Sequence, residues 1–244
     1  MFFVKKGAFV KTKSQRLAHL LVSSGALAVR DVENGEEPFL YNSGSCGPLY
    51  LDIKGRVGFD RVFEAMARAL ADVLDEHKVE FDAIAGLMTG GAIPAFRLKQ
   101  LLSRRQRRAI PFLYVRAEGD PVPQREAIVG MRGNPALSSH MRVLLVDEVV
   151  NAAGTTARGT LLLRHAGFRV SDVAAVAHYE NSAGNERLKP IGLRIHAVLT
   201  VREIVDAALA EKMLTPRLAA QCHDFLTNPT GWSQRHLPAS SGNG

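Results

Sequence analysis

The stretch Arg142-Val-Leu-Leu-Val-Asp-Glu-Val-Val-Asn-Ala-Ala-Gly-Thr-Thr156 decides how this chain folds and where it binds a ligand. It begins with an apolar run, residues 143–146, which is too short for a helix and is typical of a buried parallel strand. Asp147 and Glu148 follow at the carboxyl end of that strand, where open α/β sheets bind their ligands. A helical pattern over residues 157–166 comes next, so the sequence predicts strand, turn and helix in succession.

The predicted turn, Asn151 to Thr156, contains small and hydroxyl-bearing residues. Small residues let backbone N–H groups approach an anion, and the N-terminus of the following helix adds positive partial charge. Thr155 and Thr156 add hydroxyl donors, while Asp147 and Glu148 can accept hydrogen bonds from sugar hydroxyls or help hold a hydrated Mg²⁺. Together these groups indicate a sugar phosphate as ligand. An ordinary strand–turn–helix with surface acids is the alternative interpretation.

Composition sets broad limits on the remaining possibilities. The chain has 244 residues, 46% of them hydrophobic, which favours one domain with an ample core. A formal net charge of +7 favours anionic ligands, a polyphosphate or a nucleic acid. Cys46 and Cys222 stand far apart and offer neither a disulfide framework nor metal-ligand spacing, so we expect a cytoplasmic protein. No apolar run approaches the ~20 residues of a membrane helix.

The central stretch resembles the phosphoribosyl pyrophosphate (PRPP) binding motif of type I phosphoribosyltransferases. The resemblance implies that Asp147 and Glu148 bind the ribose hydroxyls, with Asp147 also a candidate to contact Mg²⁺ held by PRPP. It further implies that a loop wraps the 5′-phosphate, and this loop consists of Asn151, Ala152, Ala153, Gly154, Thr155 and Thr156. Ala153 stands where the family commonly has glycine, and its methyl group limits positive φ.

A second stretch, Phe39 to Lys54, contains a Ser-Gly-x-x-Gly-Pro turn between short apolar segments and predicts a hairpin. It resembles the N-terminal hood of orotate phosphoribosyltransferases, with matches that include Ser43, Gly44 and Tyr50. The resemblance makes these three residues candidates for substrate binding. Two positions depart from the family pattern: Asn42 replaces a lysine, and Gly47 replaces a serine.

Two further segments correspond to the pyrophosphate-binding parts of the family. Thr89, Gly90 and Gly91 follow a predicted strand, residues 81–88, and precede a helix, which is a geometry suited to anions. Arg116 and Glu118 match the start of the family's flexible loop, and Arg116 is a candidate catalytic cation. The loop's lysines and histidine are absent, because residues 119–126 read Gly-Asp-Pro-Val-Pro-Gln-Arg-Glu.

The pattern of the remaining segments completes the predicted fold. Alternating strands and helices predict a mostly parallel sheet flanked by helices, the type I phosphoribosyltransferase-like α/β class with a small N-terminal hood. We expect one domain over residues 1–227, with the hood within 1–58, and a flexible tail over 228–244. The basic cluster at residues 103–108 is expected in a solvated loop. Residues 178–186 are predicted to form a loop after a strand over residues 170–177. Tyr179 in that loop stands where orotate enzymes carry an arginine that grips the orotate carboxylate.

The resemblance implies a Mg²⁺-dependent enzyme that transfers ribose 5-phosphate from PRPP to orotate, giving orotidine 5′-monophosphate and pyrophosphate. It also implies a homodimer, with no membrane partner and no nucleic acid. Tyr179 and Asn42 leave open a phosphoribosyltransferase for another base. The missing loop cations and the net charge of +7 leave open a non-catalytic regulator that senses PRPP or a nucleotide.

Overall fold

A computed structural model describes residues 12–117 and 126–237 of the chain. Its strands are β1 (Leu27–Val29), β2 (Phe39–Leu40), β3 (Cys46–Gly47), β4 (Leu49–Leu51), β5 (Ala83–Leu87), β6 (Phe112–Val115), β7 (Ile128–Val129), β8 (Val143–Val150), β9 (Asp172–His178) and β10 (Arg194–Thr200). Its helices are α1 (Lys13–Ser23), α2 (Asp60–Glu76), α3 (Ala92–Gln106), α4 (Gly154–His165), α5 (Ser182–Leu188), α6 (Val201–Ala210), α7 (Pro216–Thr227) and α8 (Pro229–His236).

A six-stranded sheet in the order β10-β9-β8-β5-β6-β7 forms the centre of the fold. Its strands are parallel except for β7, which pairs antiparallel with β6. Alternate residues of β8 enter two separate cores, Leu144 and Val146 on one face and Val143 and Leu145 on the other. This alternation follows from the two-residue period of a strand with helices on both faces. The predicted mostly parallel α/β fold is confirmed.

The position of β5 determines where a ligand can enter. The chain runs from β5 to β6 on one side and later returns to place β8 on the other side of β5. Because the connections after β5 and β8 lead to opposite sides of the sheet, a crevice opens between the carboxyl ends of these two strands. The Gly-Gly turn after β5 and the acidic pair on β8 therefore face the same crevice.

The N-terminal hood is built from two small antiparallel pairs. Strand β1 pairs with β4, and β2 pairs with β3 through a tight turn in which Gly44 has a φ of 81°. The hairpin predicted between residues 39 and 54 is therefore present. Arg30 lies over the Phe39 ring at 4.0 Å from its centroid and joins the hairpin to the end of β1.

Three local predictions were wrong. Strand β8 continues through both acids to Val150, because apolar residues on both sides of the acids pair with β9. Helix α3 extends to Gln106, so part of the basic cluster lies in its last turn, where cations face the negative end of the helix dipole. Residues 182–188 form α5 rather than a loop, and the Asn181 side chain caps its N-terminus by accepting from the Ala183 amide.

The C-terminal segment also differs from the expected flexible tail. The structure places α8 over residues 229–236 and buries Trp232 to 1% exposure, while residues 238–244 lie outside the described part. Ser233 ties α8 to the hood, because its hydroxyl accepts a hydrogen bond of 2.8 Å from the Cys46 amide. Both cysteines are buried and free, and none of the helices described is long and apolar enough to cross a membrane.

Candidate active site

The Gly-Gly turn and the acidic pair meet in the crevice between β5 and β8. A Cβ at Gly91 would lie 2.5 Å from the carbonyl oxygen of Val146 and 2.9 Å from the Cα of Asp147. A Cβ at Gly90 would lie 1.7 Å from Oε1 of Glu148. Glycine is required at Gly91 because a side chain there would meet the backbone of β8, whereas at Gly90 it would meet only the end of the Glu148 side chain, which can move. The structure thus brings together Thr89–Gly91 and the two acids, which lie more than fifty residues apart in sequence.

Asp147 is a buried carboxyl at the base of this crevice. It is 6% exposed, and its Oδ1 accepts from the Glu148 amide at 2.9 Å while its Oδ2 accepts from the Thr156 hydroxyl at 3.0 Å. Burial raises the pKa of Asp147 well above its usual value, and the neighbouring Glu148 charge raises it further. The hydrogen bonds from Thr156 and the Glu148 amide oppose this rise only in part. A bound cation or sugar hydroxyls would stabilise the charged form.

The predicted phosphate loop leads directly into helix α4. Ala153 precedes the helix in a left-handed conformation, with φ 56° and ψ 15°, and is 5% exposed. Helix α4 begins at Gly154, which is exposed, so the first amides of the helix are accessible to an anion. Thr155 is half-buried beside them. Thr156 differs from the expectation, because it is 2% exposed and its hydroxyl donates to Asp147 rather than to an open site.

Arg116 follows β6 at the same edge of the sheet. Its guanidinium donates to the Tyr114 hydroxyl at 3.2 Å and lies 5.4 Å from the centroid of that ring. Its Nε is buried with no hydrogen-bond partner among the described residues. Glu118 and Arg125, which belong to the family's loop segment, lie outside the described residues. Arg116 therefore retains donor capacity for an anion at this edge.

A cavity of about 240 Å³, lined by uncharged residues, lies between the hood and the predicted phosphate loop. Ser43 and Gly44 line it from the hood, and Asn151 and Asn181 line it from the sheet. Helix α8 supplies the opposite wall with Thr230, Ser233 and Gln234. Tyr50 is not part of this lining and instead packs against Phe39, with ring centroids 5.8 Å apart. None of the described residues that line this cavity carries a charged side chain.

Tyr179 lies in the core instead of the open crevice. It is 5% exposed, and its ring packs edge-on against that of Phe225, with centroids 6.4 Å apart. Burial raises the pKa of both phenols. A Cβ at Gly47 would lie 2.2 Å from the Tyr41 hydroxyl and 2.8 Å from Phe225, so this departure from the family pattern makes room for the aromatic cluster.

Sequence analysis missed the contribution of α5 to the site. Asn181, Gly184 and Arg187 contact residues 151–152 of the predicted phosphate loop. The Asn-Ser pair at residues 181–182 is a helix-start signal from which α5 could have been recognised in the segment that was predicted as a loop. The contact with residues 151–152 depends on tertiary packing and has no local signal.

A larger cavity, about 300 Å³, lies at the opposite edge of the sheet. It is lined near the N-terminal ends of β8, β9 and β10, where Asp172 accepts from Arg194 at 2.9 Å and from His196 at 2.7 Å. None of the candidate site residues lies there. Ligands of open α/β sheets bind at the carboxyl edge, so the crevice between β5 and β8 remains the candidate active site.

Comparisons with known proteins find similar chains among orotate phosphoribosyltransferases. The chain is 29% identical over 210 residues to the orotate phosphoribosyltransferase of Agrobacterium fabrum, covering 83% of this chain and 84% of the relative. It is 25% identical over 198 residues to the orotate phosphoribosyltransferase of Listeria monocytogenes serotype 4b, covering 81% of this chain and 90% of that relative. No family model matches the chain.

Solved structures show the same fold. The orotate phosphoribosyltransferase of Aeropyrum pernix superposes with a TM-score of 0.61 at 24% identity, over 78% of this chain and 97% of that chain. Leishmania donovani UMP synthase superposes with a TM-score of 0.71 at 24% identity over 88% of this chain, which spans 42% of that longer protein. The chain therefore has the fold of the type I phosphoribosyltransferases. Within that class it is similar to the orotate phosphoribosyltransferases, as its sequence predicts.

Proposed function

We propose that this protein transfers ribose 5-phosphate from PRPP to orotate, giving orotidine 5′-monophosphate and pyrophosphate in pyrimidine nucleotide biosynthesis. The observation that carries the proposal is the direct packing of the Gly-Gly turn against Asp147 and Glu148 at the entrance to the phosphate loop. That arrangement places anion-binding amides on both sides of a pair of carboxylates. PRPP has the matching order of groups, a pyrophosphate, a diol-bearing ribose and a 5′-phosphate.

Each group of the site takes a defined role under this proposal. Asp147 and Glu148 accept hydrogen bonds from the ribose hydroxyls and orient the sugar. Residues 151–155 hold the 5′-phosphate through backbone amides and the N-terminus of α4. The Thr89–Gly91 turn and Arg116 hold the pyrophosphate and stabilise the charge that grows on it as the glycosidic bond breaks. The bond from Thr156 keeps the Asp147 carboxyl in place.

The reaction needs no covalent intermediate on the protein. Departure of pyrophosphate leaves positive charge on the ribosyl ring, and the carboxylates beneath the ring stabilise that charge. A ring nitrogen of the base then forms the new bond to the sugar. Because the chemistry depends on charge and position, geometry at Asp147 and at the two loops sets the rate.

We also propose Mg²⁺ as the cofactor. Among residues 12–117 and 126–237, no group of three or more side chains is arranged to hold a metal ion by itself. The site fits an ion carried mainly by substrate phosphates, because Mg²⁺ commonly takes one or two carboxylates plus phosphate oxygens and waters. Asp147 is the side chain placed to contact it. Bound Mg²⁺ would neutralise part of the pyrophosphate charge.

A specific observation favours a second acceptor base. Tyr179 occupies the position of the carboxylate-gripping arginine and is buried against Phe225, and the neighbouring cavity is lined by uncharged groups. An uncharged cavity suits a base without a carboxylate. The acceptor must therefore be measured rather than carried over from relatives.

The test is pyrophosphate release from PRPP and Mg²⁺ with orotate, with each of several other bases, and with no base. Orotate-dependent release supports the proposal, whereas release with only another base replaces orotate as the substrate. Binding of PRPP without release with any base would contradict a transferase. Asp75→Asn, on the exposed end of α2, serves as a control for loss of a carboxylate elsewhere.

The homodimer implied by the resemblance is likewise a proposal. Sedimentation equilibrium at micromolar concentration measures the mass in solution directly. A mass of one chain across that range would contradict it.

A further inference from the structure

Helix α5 lies directly against the loop proposed to hold the 5′-phosphate. A Cβ at Gly184 would lie 2.2 Å from the carbonyl oxygen of Asn151, a distance that no side chain tolerates. Gly184 is buried within an otherwise largely exposed helix. Backbone contact of this kind fixes the distance between α5 and the loop, because only glycine lets two main chains approach so closely.

Side chains at the two ends of α5 add hydrogen bonds to this contact. Asn181 donates from Nδ2 to Oδ1 of Asn151 at 3.0 Å, while its own Oδ1 accepts from the Ala183 amide at 3.0 Å. It therefore caps α5 and holds the first residue of the loop at the same time. Six residues further on, Arg187 donates from Nη1 to the carbonyl oxygen of Ala152.

The position of the Arg187 guanidinium matters because of what lies beside it. Its Nη1 is 3.5 Å from the point where a Cβ at Gly154 would stand, at the first residue of α4. No acidic side chain among the described residues forms an ion pair with Arg187, and its side chain is exposed. A guanidinium carries five N–H donors in a planar fork, so one bond to Ala152 leaves donors for an anion at the start of α4.

The loop needs external support because of Ala153. A residue with a Cβ in the left-handed region costs roughly 1–2 kcal/mol relative to the right-handed region, and such conformations persist when surrounding contacts enforce them. Asn181 and Arg187 bond the two residues immediately before Ala153. Helix α5 is the element that supplies those contacts.

We infer that Arg187 is a 5′-phosphate ligand and that α5 is the brace that holds the phosphate loop in its binding conformation. This inference rests on the proposed function, because it takes residues 151–155 as the phosphate site. Arg187 supplies a cation next to the amides of α4. Asn181 and Gly184 are positioning residues that act through Asn151.

The first test measures binding of ribose 5-phosphate by calorimetry, which requires no acceptor base and no turnover. Arg187→Met should weaken binding about tenfold, because a charged hydrogen bond is lost, and Arg187→Lys should recover part of it. Lys189→Met, an exposed change at the end of α5, is the matched control and should leave binding unchanged. Equal affinity of Arg187→Met and wild type would overturn the inference.

Steady-state kinetics with the accepted base provides the second readout. Arg187→Met should raise KM for PRPP about tenfold and change kcat less than about threefold, since the 5′-phosphate is bound equally in the ground and transition states. A fall in kcat with unchanged KM would contradict a phosphate ligand. If wild type binds ribose 5-phosphate yet turns over no base, the proposed function fails while the role of Arg187 is still measurable.

Asn181→Ala tests the brace separately from the charge. It removes the bond to Asn151 and leaves Arg187 in place, so binding of ribose 5-phosphate should weaken without a change in its salt dependence. Arg187→Met should weaken binding and also reduce that salt dependence, because a cation is lost. Identical salt dependence in all three proteins would overturn the assignment of Arg187 as a ligand.

Discussion

The two halves of the candidate site are built in opposite ways. The side proposed to bind phosphates consists of two acids on β8, Asp147 and Glu148, and two loops of mostly small residues, 89–91 and 151–156. Gly91 in the first loop lies against the backbone of β8. We call this part the phosphate side. The base side, which comprises the hood residues 39–52 with α7 and α8, is packed with aromatic rings. Tyr41, Tyr179, Phe225 and Trp232 form a continuous cluster there.

Under the proposed function, this difference follows from the ligand that each side binds. Phosphates are bound by backbone amides, so the phosphate side depends on close approach of main chains and on residues with little or no side chain. A planar base is bound by shape, so the base side depends on large side chains that fix the hood against the sheet. Changes should therefore act on affinity and rate at the phosphate side and on stability at the base side.

Asp147→Asn should have the largest effect on activity, and it should lower activity while it raises thermal stability. We expect kcat/KM to fall on the order of 10²-fold, as for loss of a group that stabilises transition-state charge. Thermal stability should rise, because burial and Glu148 raise the pKa of this carboxyl above its unfolded value and ionisation then costs stability as pH rises. The gain in Tm should grow from about pH 4 upward and vanish below it. Unchanged activity would remove Asp147 from the site.

Trp232→Ala tests whether the base side works mainly through packing. Trp232 is 1% exposed and packs edge-on against Phe225 at 5.5 Å, so its removal should cost about 3–5 kcal/mol in urea unfolding. Leu161→Ala, at a site 51% exposed, is the apolar control and should change stability little. Ribose 5-phosphate affinity of the folded fraction should stay at the wild-type value. A loss of that affinity would show that the two sides are coupled.

Gly91→Ala and Gly90→Ala compare two neighbouring positions on the phosphate side. At Gly91 the new methyl group meets the backbone of β8, so we expect a loss of about 1–3 kcal/mol in stability. At Gly90 it meets the end of the Glu148 side chain, which can move. Gly90→Ala should therefore keep most of the stability and lose activity. The reverse pattern in parallel unfolding and rate measurements would contradict this geometry.

Asp172→Asn tests the other buried acid, Asp172, which lies at the N-terminal end of β9, the strand next to β8. Burial alone would raise the pKa of Asp172, but bonds from Arg194 and His196 outweigh it and hold the pKa below its usual value. Its contribution to stability is therefore present above about pH 4 and lost as pH falls through the lowered pKa. Asp172→Asn should destabilise the protein at pH 7 by about 1–3 kcal/mol, with a smaller difference near pH 3 and unchanged kcat. Equal losses at both pH values would contradict the ion-pair explanation.

Ala153→Gly should give the smallest effect. Glycine adopts the left-handed conformation of Ala153 without a steric penalty, but it also increases the entropy of the unfolded chain. The two terms nearly offset, so we expect a change in stability within about 1 kcal/mol. In combination with Arg187→Met, Ala153→Gly should restore part of the lost ribose 5-phosphate affinity if α5 supports the strained residue. Strict additivity of the two changes in calorimetry would show that it does not.

The sequence by itself determined the central sheet, the position of the acidic pair, the loop that leads into α4 and the hood hairpin. Each of these features depends on a short run of residues. Within such a run, the spacing of apolar residues, the presence of small residues or the turn-forming residues indicate one main structure. Even the start of α5 carries a capping signal at Asn181. The central stretch and the resemblance it carries predicted both the fold class and the crevice.

Only the tertiary structure decided how the loops are held and what fills the base side. Gly184 touches Asn151 across 33 residues, and Ser233 bonds Cys46 across 187, so neither contact has a signal within one element. The resemblance places Tyr179 at a position that binds the base, yet its packing against Phe225 makes it a core residue. The physical reason is that burial and close approach belong to pairs of elements, whereas sequence pattern describes one element at a time.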